Sequence, residues 1–226
     1  MCFNKEVSFL SFLFSFLVSI KLFLANEIFL GVTLLVISLM QFLEFFLWIF
    51  LNNKYVNLII SVLIFILILI QPIIMTYFSN ENKEIEVPEW AEKLNWALIG
   101  IFAISFIYYF CYTSYHNEGF LLSKKSNKTC RLLWGFNNQS IVPLIFTIPI
   151  WIGVISGYTY PFIVTKNYDI YGLAMFSLLL ACGYNYWSGE IILKNFESLW
   201  CFLVNIITAY ILIIRMPNEF NKSVNV

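Results

Sequence analysis

The sequence predicts an all-α, polytopic bundle of membrane-spanning helices, and three observations predict it. Apolar residues fill 61% of the 226 positions and charged residues only 12%, against about 45–50% and about 25% in an ordinary soluble domain. The apolar positions gather into runs close to the ~20 residues that cross a hydrocarbon core as a helix. Short polar turns divide the runs, so each segment can satisfy its own backbone hydrogen bonds, as a lipid setting demands. Seven spans are expected, with six as the alternative if a short or proline-rich segment does not cross. The whole chain, 1–226, is expected to form one helical domain.

The first span is expected over 7–24. Lys5 precedes an apolar run that ends at Ala25, as in an export signal. Bulky Phe23 stands where a small residue would mark cleavage, so the segment is expected to persist as a helix. Lys21 suits a side chain that snorkels to the interface. Span two (28–51) and span three (56–78) are joined by Asn52-Asn53-Lys54, a link so short that they must be antiparallel neighbours. Gln71-Pro72 predicts a kink in span three, because proline removes a helix hydrogen bond. Gln71 is then either satisfied in the packing or lines a cavity.

Residues 79–93 form an acidic loop, with Glu81, Glu84, Glu86, Glu89 and Glu92 against Lys83 and Lys93. Span four (94–112) follows, with Trp90 and Trp96 as interfacial anchors. Residues 113–140 form a basic loop carrying Lys124, Lys125, Lys128 and Arg131. In it, the apolar triplets 120–122 and 132–134 flank a polar turn and predict a small hairpin or a segment lying on the bilayer. Span five (141–164) is expected to bend at Pro143, Pro149 and Pro161, and spans six (170–187) and seven (198–214) complete the bundle. No internal repeat is visible in the sequence.

The acidic third loop and basic fourth loop place the N-terminus in the cytoplasm and the C-terminus outside. Asn127 and Asn138 open glycosylation sequons in the basic loop, and on that side they are expected to be unmodified. The charges balance at 13 basic and 13 acidic residues, so no basic field points to nucleic acid. The expected partner is the lipid bilayer. Cys2, Cys111, Cys130, Cys182 and Cys201 show no CxxC spacing and are expected to be free thiols. With His116 the single histidine, neither a metal nor another cofactor is expected, and histidine-rich zinc hydrolases are disfavoured.

The candidate site starts from Glu44, an ionisable side chain inside span two. A carboxyl there costs a few kcal/mol unless it is partnered, which makes it a functional candidate by default. Ser38, Gln41, Glu44 and Trp48 recur at helical spacing and share one face. In span seven, Ser198, Cys201, Asn205 and Thr208 do the same. The antiparallel order places Glu44, Cys201 and Asn205 in the same half of the bundle, where Cys2, Tyr108, Cys111 and Asn185 also fall. With no lysine or arginine at its depth, Glu44 is expected to be neutral and to donate to Gln41 or Asn205. These groups are either interhelical hydrogen-bonding glue or the lining of a working cavity.

Three short motifs carry a resemblance: Met1-Cys2-Phe3 with Ser8-Phe9, Gln41-x-x-Glu44-x-x-x-Trp48, and Ser198-Leu199-Trp200-Cys201. Together they resemble an uncharacterised family of small polytopic membrane proteins that open Met-Cys-Phe-Ser. This chain has Asn4 where that family usually has serine. The resemblance implies that Cys2, Gln41, Glu44, Trp48, Trp200 and Cys201 belong to one site, and it implies no activity. The leading expectation is proton-linked movement or binding of a small solute or lipid in a cytoplasm-facing polar pocket. An intramembrane lipid-modifying enzyme using Cys201 or Cys2 as nucleophile, with Glu44 as base, is one alternative. A structural or assembly protein is the other.

Overall fold

The computed structural model describes residues 4–116, 122–125, 132–133, 156–187 and 204–216. Its helices are α1 (Lys5–Leu24), α2 (Ile28–Ile49), α3 (Lys54–Glu81), α4 (Glu89–His116), α5 (residues 156–164), α6 (Tyr168–Trp187) and α7 (residues 204–216). The fold is all-α, relieved among the described residues by one antiparallel strand pair, β1 (Lys124–Lys125) with β2 (Leu132–Leu133). The first four helices are long and apolar enough to cross a membrane. The apolar stretches of α6 and α7, Tyr168–Ala181 and Val204–Arg215, are shorter. The expected spans over 141–164 and 198–214 are described only in their later parts, and both sequons lie outside the described residues.

Local chemistry sets the helix ends. The Asn4 and Asn53 side chains accept from the amides of Val7 and Val56, at 3.0 and 3.2 Å, and so cap α1 and α3. α1 ends at Asn26, whose φ of 59° is left-handed. There the Glu27 amide reaches the Leu22 carbonyl at 2.9 Å, and the Asn26 amide reaches Phe23 at 3.1 Å. The α5–α6 turn repeats this geometry around Lys166, at φ 52°. Its Asn167 and Lys166 amides donate to Phe162 and Ile163 at 2.9 and 3.1 Å.

Polar contacts fix the helix order. The Glu84 and Ile85 amides both donate to the Val164 carbonyl, at 2.9 and 3.2 Å, and Phe29 meets Phe162 edge-on at 5.5 Å. The α1–α2 turn, the α3–α4 loop and the α5–α6 turn therefore share one end of the bundle, the turn end. The opposite end holds Asn4, the α2–α3 turn and the strand pair, and is called the hairpin end. α5 leans on α3, where the Tyr158 hydroxyl donates to Gln71 Oε1 at 2.6 Å, and on α4, where Ser156 donates to Asn95 at 2.7 Å. Gln71 is thus satisfied in the packing. Gly157 permits the approach, since a Cβ there would lie 2.4 Å from Pro72 Cβ.

α1 is turned inside out relative to a helix in water. Ser8, Ser11, Ser15 and Ser19 are buried, while Leu10, Leu17 and Leu24 are 64%, 58% and 82% exposed. Small hydroxyl residues inward and leucines outward is how helices pack when lipid is the solvent. Exposed aromatic side chains collect at both ends, Tyr77, Trp90 and Tyr168 at one and Tyr55, Tyr112 and Tyr115 at the other. That is the distribution of interfacial anchors.

Candidate functional site

α2 carries the centre of the site. Gln41 and Glu44 are 2% and 3% exposed, and at three-residue spacing they lie on one helix face. Trp48, one turn further, is partly buried and packs against the core shared by α2, α3 and α4. Leu47 and Met40 on the same side of the helix are fully buried. Glu44 is therefore a buried carboxyl, and it is engaged in an interaction. The Gln41 Nε2 amide, buried alongside, has no hydrogen-bond partner. A buried donor left without an acceptor costs about 1–3 kcal/mol.

Asn205 reaches the same level by way of α1. Its Nδ2 donates to Ser11 Oγ at 2.9 Å, and its Oδ1 accepts from Ser15 Oγ at 3.3 Å. Ser15 also shares a hydrogen bond with Thr208, at 3.1 Å, so α7 runs parallel to α1. The Phe9–Phe45 and Phe12–Phe42 ring contacts, at 5.0 and 4.7 Å, set the register of α1 on α2. Ser8 and Ser11 are thereby level with Glu44 and Gln41. The four described members of the expected site, Gln41, Glu44, Trp48 and Asn205, thus lie toward the hairpin end. Cys2, Trp200 and Cys201 lie outside the described residues. Tyr108 and Cys111 share the level but are exposed on the bundle's outer surface.

Thr33 belongs with these residues although its sequence setting did not single it out. It is buried, its hydroxyl has no partner, and it lines a cavity of about 20 Å³ where α2, α3, α5, α6 and α7 meet. That is room for roughly one water. Thr33, Ile37, Gln41 and Glu44 recur at spacings of four, four and three, so one continuous face of α2 links the cavity to the site. The signal was present in that periodicity. Among the described residues no group of His, Cys, Asp and Glu could hold a metal ion.

Compared with protein-family models, with curated proteins and with solved structures, the chain matches none. The site therefore has to be interpreted from its own chemistry.

Proposed function

We propose that this chain is a multi-pass membrane protein of seven spans. In it, the pocket around Glu44 and Gln41 takes a small polar solute or a lipid headgroup and couples its binding or passage to proton exchange at Glu44. The observation that carries the proposal is the pairing of a buried carboxyl with a buried, unpartnered amide donor one helical turn away. An intramembrane acid is costly and typically marks a proton or solute pathway, and the idle donor supplies the complement for a ligand's acceptor. Cys2, Trp200 and Cys201 are proposed to complete the pocket, as the motif resemblance implies.

Seven alternating crossings are supported by the register of the ends, since α7 runs parallel to α1 and the turn end gathers every second connection, α1–α2, α3–α4 and α5–α6. The basic run of Lys124, Lys125, Lys128 and Arg131 in the loop that holds the strand pair favours placement of the hairpin end in the cytoplasm.

The test uses proteoliposomes holding a pH-sensitive dye, challenged with panels of small amines, amino acids, sugars and nucleosides. The wild type should show a pH change with at least one class of solute, and Glu44→Gln should abolish that response. Glu44→Gln keeps the shape and a donor, so it should fold normally. Glu44→Ala should destabilise the protein by about 1–3 kcal/mol by leaving partners unpaired. Identical responses in wild type and Glu44→Gln would reduce Glu44 to interhelical glue.

A further inference from the structure

The two ends of the bundle group their cations differently. At the turn end, Lys83 is paired with Glu92 at 2.5 Å, Lys93 with Glu89 at 2.7 Å and Arg215 with Asp169 at 3.5 Å, and the exposed Lys21 and Lys166, outside the ion pairs of the described residues, sit singly on separate turns. At the hairpin end, Lys54, Lys124 and Lys125 are all exposed, and none is among the ion pairs of the described residues. Only Lys5 has a carboxylate there, Glu6 at 3.8 Å.

The backbone brings the segment that carries Lys124 and Lys125 to the first turn of α3, which begins at Lys54. Asn57 is buried in the first turn of α3, and its side chain grips the strand pair at both polar groups of one residue. Its Nδ2 donates to the Ser123 carbonyl at 2.9 Å, and its Oδ1 accepts from the Ser123 amide at 3.0 Å. The Ser61 and Ser123 hydroxyls add a hydrogen bond at 2.8 Å. Opposite, Leu132 pairs with Lys125 and is sunk to 1% exposure in the core. Ser123 is therefore fixed against α3 one turn in from Lys54, and Lys124 and Lys125 follow it directly. Tyr55, 79% exposed beside Lys54, marks the headgroup level.

We propose that this fixed cluster, Lys54, Lys124 and Lys125, is a binding surface for the phosphate of anionic phospholipids. Three ammonium groups without internal counter-charges, at interfacial depth, are complementary to a lipid phosphate. Each lysine near an anionic surface contributes on the order of fivefold in affinity. The proposal rests on the membrane setting proposed above and is independent of any role for Glu44, because proton movement is not its readout.

The experiment is lipid retention by the full-length protein in detergent, read by native mass spectrometry. Phosphatidylglycerol and phosphatidylcholine are offered in equal amounts. The wild type should retain phosphatidylglycerol at least tenfold over phosphatidylcholine, and the preference should fall as salt is raised. Lys54→Gln, Lys124→Gln and Lys125→Gln should each lower it several-fold, and their combination should remove it. Lys83→Gln and Lys166→Gln, at the turn end, should leave it unchanged. The salt titration on the wild type decides the matter should the triple variant fail to fold. No preference in the wild type, a preference insensitive to salt, or full preference in the triple variant would each overturn the proposal.

Discussion

At the scale of single residues, the two left-handed positions make opposite choices for the same turn. Asn26 is a residue that tolerates positive φ, whereas Lys166 carries a full side chain into a conformation costing about 1–2 kcal/mol for most residues. Lys166→Gly should therefore raise thermal stability, by up to about 1 kcal/mol after glycine's own entropy loss, and a lower Tm would refute this. Gly157 is the reverse case, because an added methyl meets Pro72 Cβ at 2.4 Å. Gly157→Ala should destabilise by about 1–3 kcal/mol through overpacking, measured as a drop in Tm in detergent. Asn4 shows how a departure from a motif can be silent. Asparagine and serine are both strong N-caps, and Asn4 caps α1 through its side chain. Gln41, Glu44 and Trp48 were legible as one face because helical periodicity is a local property. The partners of Asn205 were not, because which helix lies beside α7 is decided by tertiary packing. The α1 serines sat in plain view at three- and four-residue spacing, yet only the contact with α7 gives them meaning.

At the scale of elements, helix ends followed the apolar runs closely. α1, α3 and α4 each extend a few residues beyond the expected spans because polar residues at the edges still satisfy helix geometry outside an apolar core. The hairpin was legible in outline, with Leu132–Leu133 as one strand. Its partner is Lys124–Lys125 rather than the apolar triplet 120–122. The reason is the hold of Asn57 on Ser123, a link across 66 positions that no local pattern reveals. The matching α1–α2 and α5–α6 turns were equally hidden. Leu22 to Glu27 and Phe162 to Asn167 share no residue at equivalent positions, since a helix stop needs only backbone geometry and a tolerated left-handed residue. Asn57→Ala removes the hydrogen bonds to Leu51 and Ser123 together. It should free the strand pair, and trypsin should cut after Lys124 or Lys125 at least tenfold faster than in the wild type. An unchanged cleavage rate would mean that Leu132 alone anchors the hairpin.

At the scale of the whole molecule, charge divides along the bundle axis. Among the described residues the turn end carries Glu27, Glu81, Glu84, Glu86, Glu89, Glu92 and Asp169 against Lys21, Lys83, Lys93, Lys166 and Arg215, a net acidic end, and the hairpin end carries Lys5, Lys54, Lys124 and Lys125 against Glu6, a net basic one. The overall balance of 13 and 13 conceals this separation, which appears only once the turns are assigned to ends. A translocating chain retains its basic segments on the cytoplasmic side, so the hairpin end should face the cytoplasm and the acidic loop the outside. Glu86 and Lys125 are both exposed and lie at opposite ends, which makes them suitable reporters. In a background with the native cysteines replaced by serine, Glu86→Cys should react with a membrane-impermeant maleimide on intact cells. Lys125→Cys should react only after permeabilisation. The opposite pattern would invert the orientation and place the Glu44 level near the outer face, where a cytoplasm-facing pocket is untenable. Labelling of both positions on intact cells would put the two ends on one side, against alternating crossings of α3 and α4. The two reporters thus test the direction of the bundle and the crossing itself in one measurement.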